Sequence, residues 1–267
     1  MGNTMKEIGP VESRKIMVDI LNDVASFCDS HNLKYYLGYG TLIGAIRHKG
    51  FIPWDDDIDI HMPRPDYETF LRLYRKSGKY SLFTPHDQGC YIMWTKVYNP
   101  KTIRRERYVD YKRYKLIGVD IDLFPMDGQP EDWKEYKKIT DKRILLHWFI
   151  TRGVMPITMG NLKEFLVASF CRLFNPSKLI DKYIKDAVKY PYLDSKYVGF
   201  PDCLCPYGDR HRREVFDNRV KVQFENGEYW APAGYDEYLR NLYGDYMQLP
   251  PVEKRKSTHS SKDYWKE

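Results

Sequence analysis

Phe51-Ile52-Pro53-Trp54-Asp55-Asp56-Asp57-Ile58-Asp59-Ile60-His61 sets four carboxylates in five positions. Like charges this close repel one another unless a cation neutralises them or water screens them. From Asp57 the residues alternate Asp-Ile-Asp-Ile, the period of a half-buried strand. Residues two apart on a strand share a face, so Asp57 and Asp59 project together while Ile58 and Ile60 enter the core. Two parallel carboxylates on a rigid strand suit a hard, oxygen-seeking cation such as Mg²⁺, with Mn²⁺ as the alternative. Asp55 and Asp56, behind Pro53 and Trp54, read equally as a solvated turn at the strand entry. A Ca²⁺ loop of the EF-hand type is excluded, because it needs glycine at its sixth position and, counted from Asp55, that residue is Ile60.

The segments on either side give this strand a setting. Val11 to about His31 carries Ile16, Ile20, Val24 and Phe27 at helical spacing, and Asn32 closes it. Leu33 to Leu37 reads as a short strand. Gly38-Tyr39-Gly40-Thr41 follows, with Thr41 as the expected cap of a short helix ending before Gly50. A glycine turn opening a helix presents unpaired N–H groups and the positive end of the helix dipole, a natural phosphate cradle. Taken alone, Gly38 and Gly40 could serve only a tight turn. Asp66 to Arg75 reads as a further helix, and Tyr80 to Phe83 and Tyr91 to Tyr98 as strands. Lys115 to Phe124 is a second acidic strand, with Asp120 and Asp122 on one face and Val119, Ile121 and Leu123 on the other.

Trp133 to Arg152 is expected to be helical and to end a core of residues 1–152. Residues 153–267 form a helical and hairpin region packing on that core, with two helices in 161–190 split by Asn175-Pro176. A hairpin over Lys221 to Trp230 turns at Asn226-Gly227, Asp236 to Tyr243 is a last helix, and the chain from about residue 257 reads as loose. The fold class is α+β: a mixed sheet flanked by helices, with a mainly helical C-terminal part.

The 267 residues are 42% hydrophobic and 15% aromatic, enough for a real core. The net charge of +6 fits an anionic substrate. Nucleic acid is not expected, for there is no recognition helix, zinc finger or RNA-binding aromatic motif. The basic runs Arg104-Arg105 with Arg107, Arg210 with Arg212-Arg213, and Lys254-Arg255-Lys256 read as solvated faces. The first residues lack the apolar segment of a signal peptide. Five scattered cysteines without a secretion signal suggest reduced thiols in a cytoplasm.

The order of glycine turn, helix, acidic strand and second acidic strand describes a metal-assisted phosphoryl-transfer site. It is similar to the DNA polymerase β-like nucleotidyltransferase superfamily. Gly40-Thr41 would stand for that family's turn, Asp57 and Asp59 for its carboxylate pair, and Asp122 or Asp120 for the third acid. The fifteen residues from 42 to 56 make a longer gap than usual, which leaves Asp55 with Asp57 as the other register of the pair.

A closer resemblance runs through residues 39–60, continues in Met62-Pro63-Arg64 and Asp66-Tyr67, and returns at Asp120-Ile121-Asp122-Leu123-Phe124-Pro125. It closes on Tyr243-Gly244-Asp245-Tyr246-Met247 and Leu249-Pro250-Pro251. These stretches look like the LicD family, to which the fukutin-related sugar-phosphate transferases are distantly related. The resemblance implies transfer of phosphocholine from CDP-choline to a sugar hydroxyl of a teichoic acid or other surface-glycan precursor. Mg²⁺ would sit on Asp57, Asp59 and Asp122, with Asp120 nearby, and one carboxylate would take the hydroxyl proton. Gly40 and Thr41 would hold a phosphate oxygen. Arg47 and Lys49 would add positive charge, or serve only as a basic helix end. A lipid-linked or free glycan acceptor is implied, the former bringing a cytoplasmic protein to the inner membrane face.

A choline headgroup needs an aromatic cage, since a quaternary ammonium cannot donate an ordinary hydrogen bond. Trp54, beside the acids, is the candidate, and Tyr35, Tyr36, Tyr39 and Trp94 could lie near it in the fold; a polyol donor would need polar groups instead. Cys203, Cys205 and His211 form a candidate zinc site, but a one-residue gap departs from common zinc spacings. Lys254-Arg255-Lys256 with His259 could meet a nucleotide or an anionic acceptor. Two further readings share these residues: attack on the α-phosphate of a nucleoside triphosphate, and a catalytically silent binding protein.

Overall fold

The computed structural model describes residues 5–156, 162–200, 207–257 and 261–267. In chain order the elements begin β1 (Glu7–Ile8), α1 (Pro10–Ser30), β2 (Tyr36–Leu37), α2 (Tyr39–Arg47), β3 (Asp59–Pro63) and α3 (Arg64–Ser77). They continue as β4 (Ser81–Phe83), β5 (Thr95–Tyr98), β6 (Thr102–Glu106), β7 (Asp120–Gln129) and α4 (Trp133–Val154). Then come α5 (Leu162–Cys171), α6 (Pro176–Ala187), β8 (Tyr197–Gly199), β9 (His211–Arg212), β10 (Arg219–Phe224), β11 (Gly227–Pro232), α7 (Tyr235–Tyr243) and β12 (Ser261–Trp265). The molecule is α+β.

A seven-stranded mixed sheet organises the chain, in the order β2-β3-β7-β5-β4, with β8 and β9 added to the far half of β7. Strands β3 and β7 are parallel and carry the two acidic motifs side by side, while β2 and β5 flank them antiparallel. Beneath lies α1, whose Ile16, Ile20, Leu21, Val24 and Cys28 are buried at helical spacing. Each such fully buried aliphatic side chain contributes roughly 1.5–3 kcal/mol. α3 closes the same core with Phe70 and Tyr74, and Tyr74 hands its hydroxyl hydrogen to Asp23 of α1. A second apolar cluster, around Tyr91, Met93, Ile150 and Tyr183, joins α4 and α6 to the segment between β4 and β7.

Several expectations need correcting. α2 starts at Tyr39, because the Gly38 carbonyl already accepts from Leu42 N–H at 2.9 Å. Thr41 is therefore no cap; it lies in the first turn, and its Oγ1 accepts the N–H of Asp59 at 2.9 Å. The acidic strand begins at Asp59, so Asp57 lies in the loop leading into it. β5 begins only at Thr95, and the second acidic strand runs from Asp120 to Gln129. In the hairpin Phe224 pairs with Gly227, which puts the turn at Glu225-Asn226, one residue early. Gly227 matters for space instead, since a Cβ there would lie 2.5 Å from the Tyr229 hydroxyl.

Residues 261–265 of the tail are not loose. β12 pairs with β1 and β6, tying both ends of the chain into one three-stranded sheet. Nor are all the basic runs solvated. Arg104 is buried in ion pairs, and Arg210 lies 3.6 Å from the centre of the Tyr197 ring while donating to the carbonyls of Pro130 and Glu131.

Candidate active site

The strand register decides which side chains meet. Asp59 stands opposite Asp122, and Asp122 stands opposite Lys96 of β5. Two carboxylates and an ammonium thus form one row across three strands. Asp120, two residues from Asp122 on the same face, completes the group. Lys96 Nζ lies 2.7 Å from Asp120 Oδ1 and 2.9 Å from Asp122 Oδ1. Trp94 Nε1 also donates to Asp122 Oδ1, at 2.7 Å.

Outside this row the charge is held by the three-stranded sheet. Arg104 Nη1 reaches Asp120 Oδ2 at 3.5 Å. Its Nε and Nη2 donate to the two oxygens of Asp263 in β12 at 2.9 and 3.0 Å, and Ser13 Oγ donates to Asp263 at 2.6 Å. A chain of charged contacts therefore runs Asp263–Arg104–Asp120–Lys96–Asp122.

Negative charge exceeds positive here. Burial, followed by Asp57, Asp122 and Asp55, pushes the Asp59 carboxyl well above the usual carboxylate range, and Lys96 only partly opposes this. Burial also raises Asp122, against the pull of Lys96. For Lys96 itself burial works against the charge, but Asp120, Asp122 and Glu106 outweigh it and hold the ammonium well above the ordinary lysine range. Charged groups drawn this close in a poorly solvated place are a mark of functional sites.

The helix before the strand is fitted to the acids. A Cβ on Gly40 would sit 2.5 Å from Asp55 Oδ2, so glycine lets that carboxylate approach the first turn of α2, where the helix dipole favours negative charge. Gly38 N–H donates to the Asp59 carbonyl at 2.9 Å. The glycine turn thus locks α2 to β3 from both sides of the peptide.

A cleft of about 130 Å³ opens over Asp57, Lys96, Asp120 and Asp122, with Arg107 and Tyr108 on its wall. Asp56, Arg104 and Ser261 also line a neighbouring cleft of about 430 Å³, bounded by Arg14, Trp54, Asp55 and Arg255. Among the described residues no three His, Cys, Asp or Glu side chains converge as they stand at ligand spacing for a metal ion. Asp120 and Asp122 are turned onto Lys96 instead.

The structure therefore brings together Asp57, Asp59, Asp120, Asp122, Gly40 and Thr41. Arg47 is directed elsewhere, with Nη1 donating to the Tyr246 carbonyl at 2.6 Å. Lys49 is exposed, in left-handed backbone at φ 61°, and its carbonyl is tied to Glu225 of the hairpin. Trp54 lines the larger cleft with the Arg255 guanidinium 5.6 Å from its ring. A face occupied by one cation is a poor place for a second. Tyr35, Tyr36 and Tyr39 are buried, which leaves Trp94 as the aromatic touching a site carboxylate. Cys203, Cys205 and His259 lie outside the described residues. His211 is buried with Nε2 3.6 Å from Asp209 Oδ1. Burial pushes this imidazole down to about 4 and drives the Asp209 carboxyl well up.

Sequence reading missed Lys96, Arg104 and Asp263. The first had a signal: in Trp94-Thr95-Lys96-Val97 the lysine alternates with buried Thr95 and Val97, so it must share a face with Trp94. The other two depend on strands too short and too distant in sequence to pair on paper.

Comparison with known proteins agrees with this geometry. Residues 32–163 match the family described as "LicD/FKTN/FKRP, nucleotidyltransferase domain". The chain is 31% identical over 270 residues to the lipopolysaccharide cholinephosphotransferase LicD of Haemophilus influenzae, covering 97% of this chain and 99% of the relative. Shorter stretches are 40% identical to uncharacterised proteins of Rickettsia typhi (42% of this chain, 34% of the relative) and Rickettsia prowazekii (45% and 56%). Fold and site together define a transferase carrying a nucleotidyltransferase domain. Within that class, the chain belongs to the LicD family.

Proposed function

We propose that this enzyme transfers phosphocholine from CDP-choline to a sugar hydroxyl of a surface-glycan precursor, releasing CMP. The observation that carries the reading is the Asp59–Asp122–Lys96 row under an open cleft, in a chain that matches a cholinephosphotransferase over nearly its whole length. The acceptor is a teichoic acid or a lipopolysaccharide-type glycan; the Haemophilus relative is named for the second.

The residues present fit Mg²⁺ by their donor chemistry. The acids are all carboxylates, the ligands a hard cation takes, and Asp59 carries a surplus of neighbouring negative charge that a cation would relieve. Asp57, Asp59 and Asp122 would hold it, with Asp120 kept on Lys96. Bound there, the ion would neutralise diphosphate charge and the departing CMP.

The reaction forms a bond from the acceptor oxygen to the phosphocholine phosphorus and breaks the bond from that phosphorus to the CMP phosphate oxygen. A carboxylate takes the hydroxyl proton. We assign this to Asp57, whose carboxylate lines the cleft, rather than to the buried Asp59. Lys96 bridges Asp120 and Asp122 and fixes their orientation. The larger cleft, with Arg14 and Arg255 on its walls, has room for the nucleotide or the glycan. Trp94 is the aromatic we assign beside the choline headgroup.

Product analysis tests the reading. The enzyme, Mg²⁺ and a glycan acceptor are incubated separately with labelled CDP-choline, CDP-ribitol and CTP. CMP with a choline-labelled glycan is expected. Release of CMP only from CDP-ribitol would replace the donor, and pyrophosphate from CTP would replace the reaction.

A further inference from the structure

Away from the acids, the α4–α5 hairpin reverses the usual arrangement of an amphipathic helix. α5 turns its small residues inward: Ala168 and Cys171 are buried, and Cys171 lies against Gly153 of α4. The large residues face outward. Leu145, Trp148, Leu166, Phe170, Leu173 and Phe174 are between 39% and 79% exposed. They are not scattered. Phe149 lies 5.2 Å from Trp148 and 5.0 Å from Phe174, and Phe170 lies 5.5 Å from Phe174, ring centre to ring centre. A contiguous exposed apolar patch on a soluble face marks an interaction site.

Charge says what kind. Residues 133–190 hold twelve Lys and Arg against five Asp and Glu, a surplus of seven in a chain whose total is +6. The rest of the molecule is thus slightly acidic, and the basic excess falls in the segment of sequence that carries this patch. Beside Trp148, a groove of about 400 Å³ has Arg152 and Lys163 on its rim against one acid, Glu164. Aromatic and aliphatic side chains ringed by lysine and arginine match a surface that is apolar below and anionic above. No helix among the described residues is long and apolar enough to cross a membrane, so such a face would lie in the interface.

We propose that the α4–α5 face docks on a bilayer surface rich in anionic lipid. Trp148, Phe170 and Phe174 enter the boundary between headgroups and acyl chains, and Arg152 and Lys163 meet the phosphates. The proposal stands on this surface alone and does not depend on the donor or acceptor of the reaction.

Flotation of the full chain with vesicles tests it. The wild-type protein is expected to float with phosphatidylglycerol-containing vesicles, weakly with pure phosphatidylcholine, and less as salt rises. Phe170→Ser with Phe174→Ser should lower vesicle binding at least tenfold while the melting temperature stays as in the wild type. If that variant fails to fold, Arg152→Glu with Lys163→Glu should lower binding to anionic vesicles alone. In the unaltered protein, brominated lipids should quench tryptophan fluorescence, and Trp148→Phe should remove most of that quenching. No flotation with any vesicle, or flotation unchanged in both double variants, would overturn the proposal. So would a wild-type dimer in sedimentation velocity that Phe170→Ser with Phe174→Ser converts to monomer, for then a second copy covers the face.

Discussion

The two ends of the β3–β7 strand pair carry buried acids in opposite circumstances. At the far end Arg64 faces Asp127, with two hydrogen bonds at 2.7 and 2.5 Å; Arg64 also reaches the exposed Glu68 at 3.1 Å, and the buried charges balance one to one. At the near end Asp57, Asp59, Asp120 and Asp122 gather with Asp55 and Asp56 behind them, against Lys96 and Arg104. Both ends are rigid and poorly solvated. A balanced bidentate pair satisfies its own electrostatics and has nothing left to offer a ligand. The unbalanced end is held in place by strand pairing despite repulsion, and that leaves it ready for a cation and a phosphate. Charge balance, rather than burial, separates the structural end from the functional one.

The difference can be broken at either end. Asp57→Asn with Asp59→Asn should lower CMP release about a thousandfold, the several kcal/mol that charge stabilisation at such a site supplies. Stability should move the other way: because burial and neighbouring acids disfavour the Asp59 charge, the melting temperature without metal should hold or rise. Arg64→Ala should do the reverse. It strands Asp127 as a lone buried charge, costs about 3–5 kcal/mol in urea unfolding, and leaves activity per folded molecule intact. Loss of activity with full stability from Arg64→Ala would erase the distinction.

A third test concerns His211, whose imidazole burial holds at about 4 against an ordinary 6.5. A lowered histidine is neutral in the fold, so the unfolded chain takes the proton first as the pH drops. Its share of stability is present above pH 6.5 and lost between 6.5 and about 4, roughly 3 kcal/mol over that window. Asp209, held up by burial, works in the opposite sense, so the His211 share is read as the difference between wild type and His211→Gln in urea unfolding from pH 7 to pH 4. Equal slopes would deny it.

The smallest effect belongs to the link between the tail and the site. Asp263→Asn loosens Arg104, and through it Asp120 and Lys96, so kcat should fall about tenfold, as for supporting residues around a metal site, with KM unchanged. A rise in KM alone would place Asp263 in substrate binding.

The parts of this site written in local pattern could be read without coordinates. The Asp-Ile-Asp-Ile alternation turns Asp59 away from the core that takes Ile58 and Ile60, and the Val119–Leu123 run puts Asp120 and Asp122 on one face, because a strand has a period of two. Lys96 is legible by the same rule, since it alternates with Thr95 and Val97. Arg104 and Asp263 were not legible. They meet through β6 and β12, which are 159 positions apart, each five residues long, and Ser261–Trp265 has too little apolar pattern to announce a strand. Thr41 misled for a related reason: its type fits a cap, but its hydroxyl is engaged by a backbone N–H from another element. Sequence patterns report a residue's own element well and its partner across the fold poorly.

The most direct measurement of the central claim is Mg²⁺-dependent release of CMP from CDP-choline in the presence of a glycan acceptor, comparing wild type with Asp57→Asn, Asp59→Asn. Release is expected to stop with a chelator, to return with Mg²⁺ or Mn²⁺, and to be about a thousandfold weaker in the folded variant. Release at the wild-type rate from that variant, or in the presence of excess chelator, would contradict the claim.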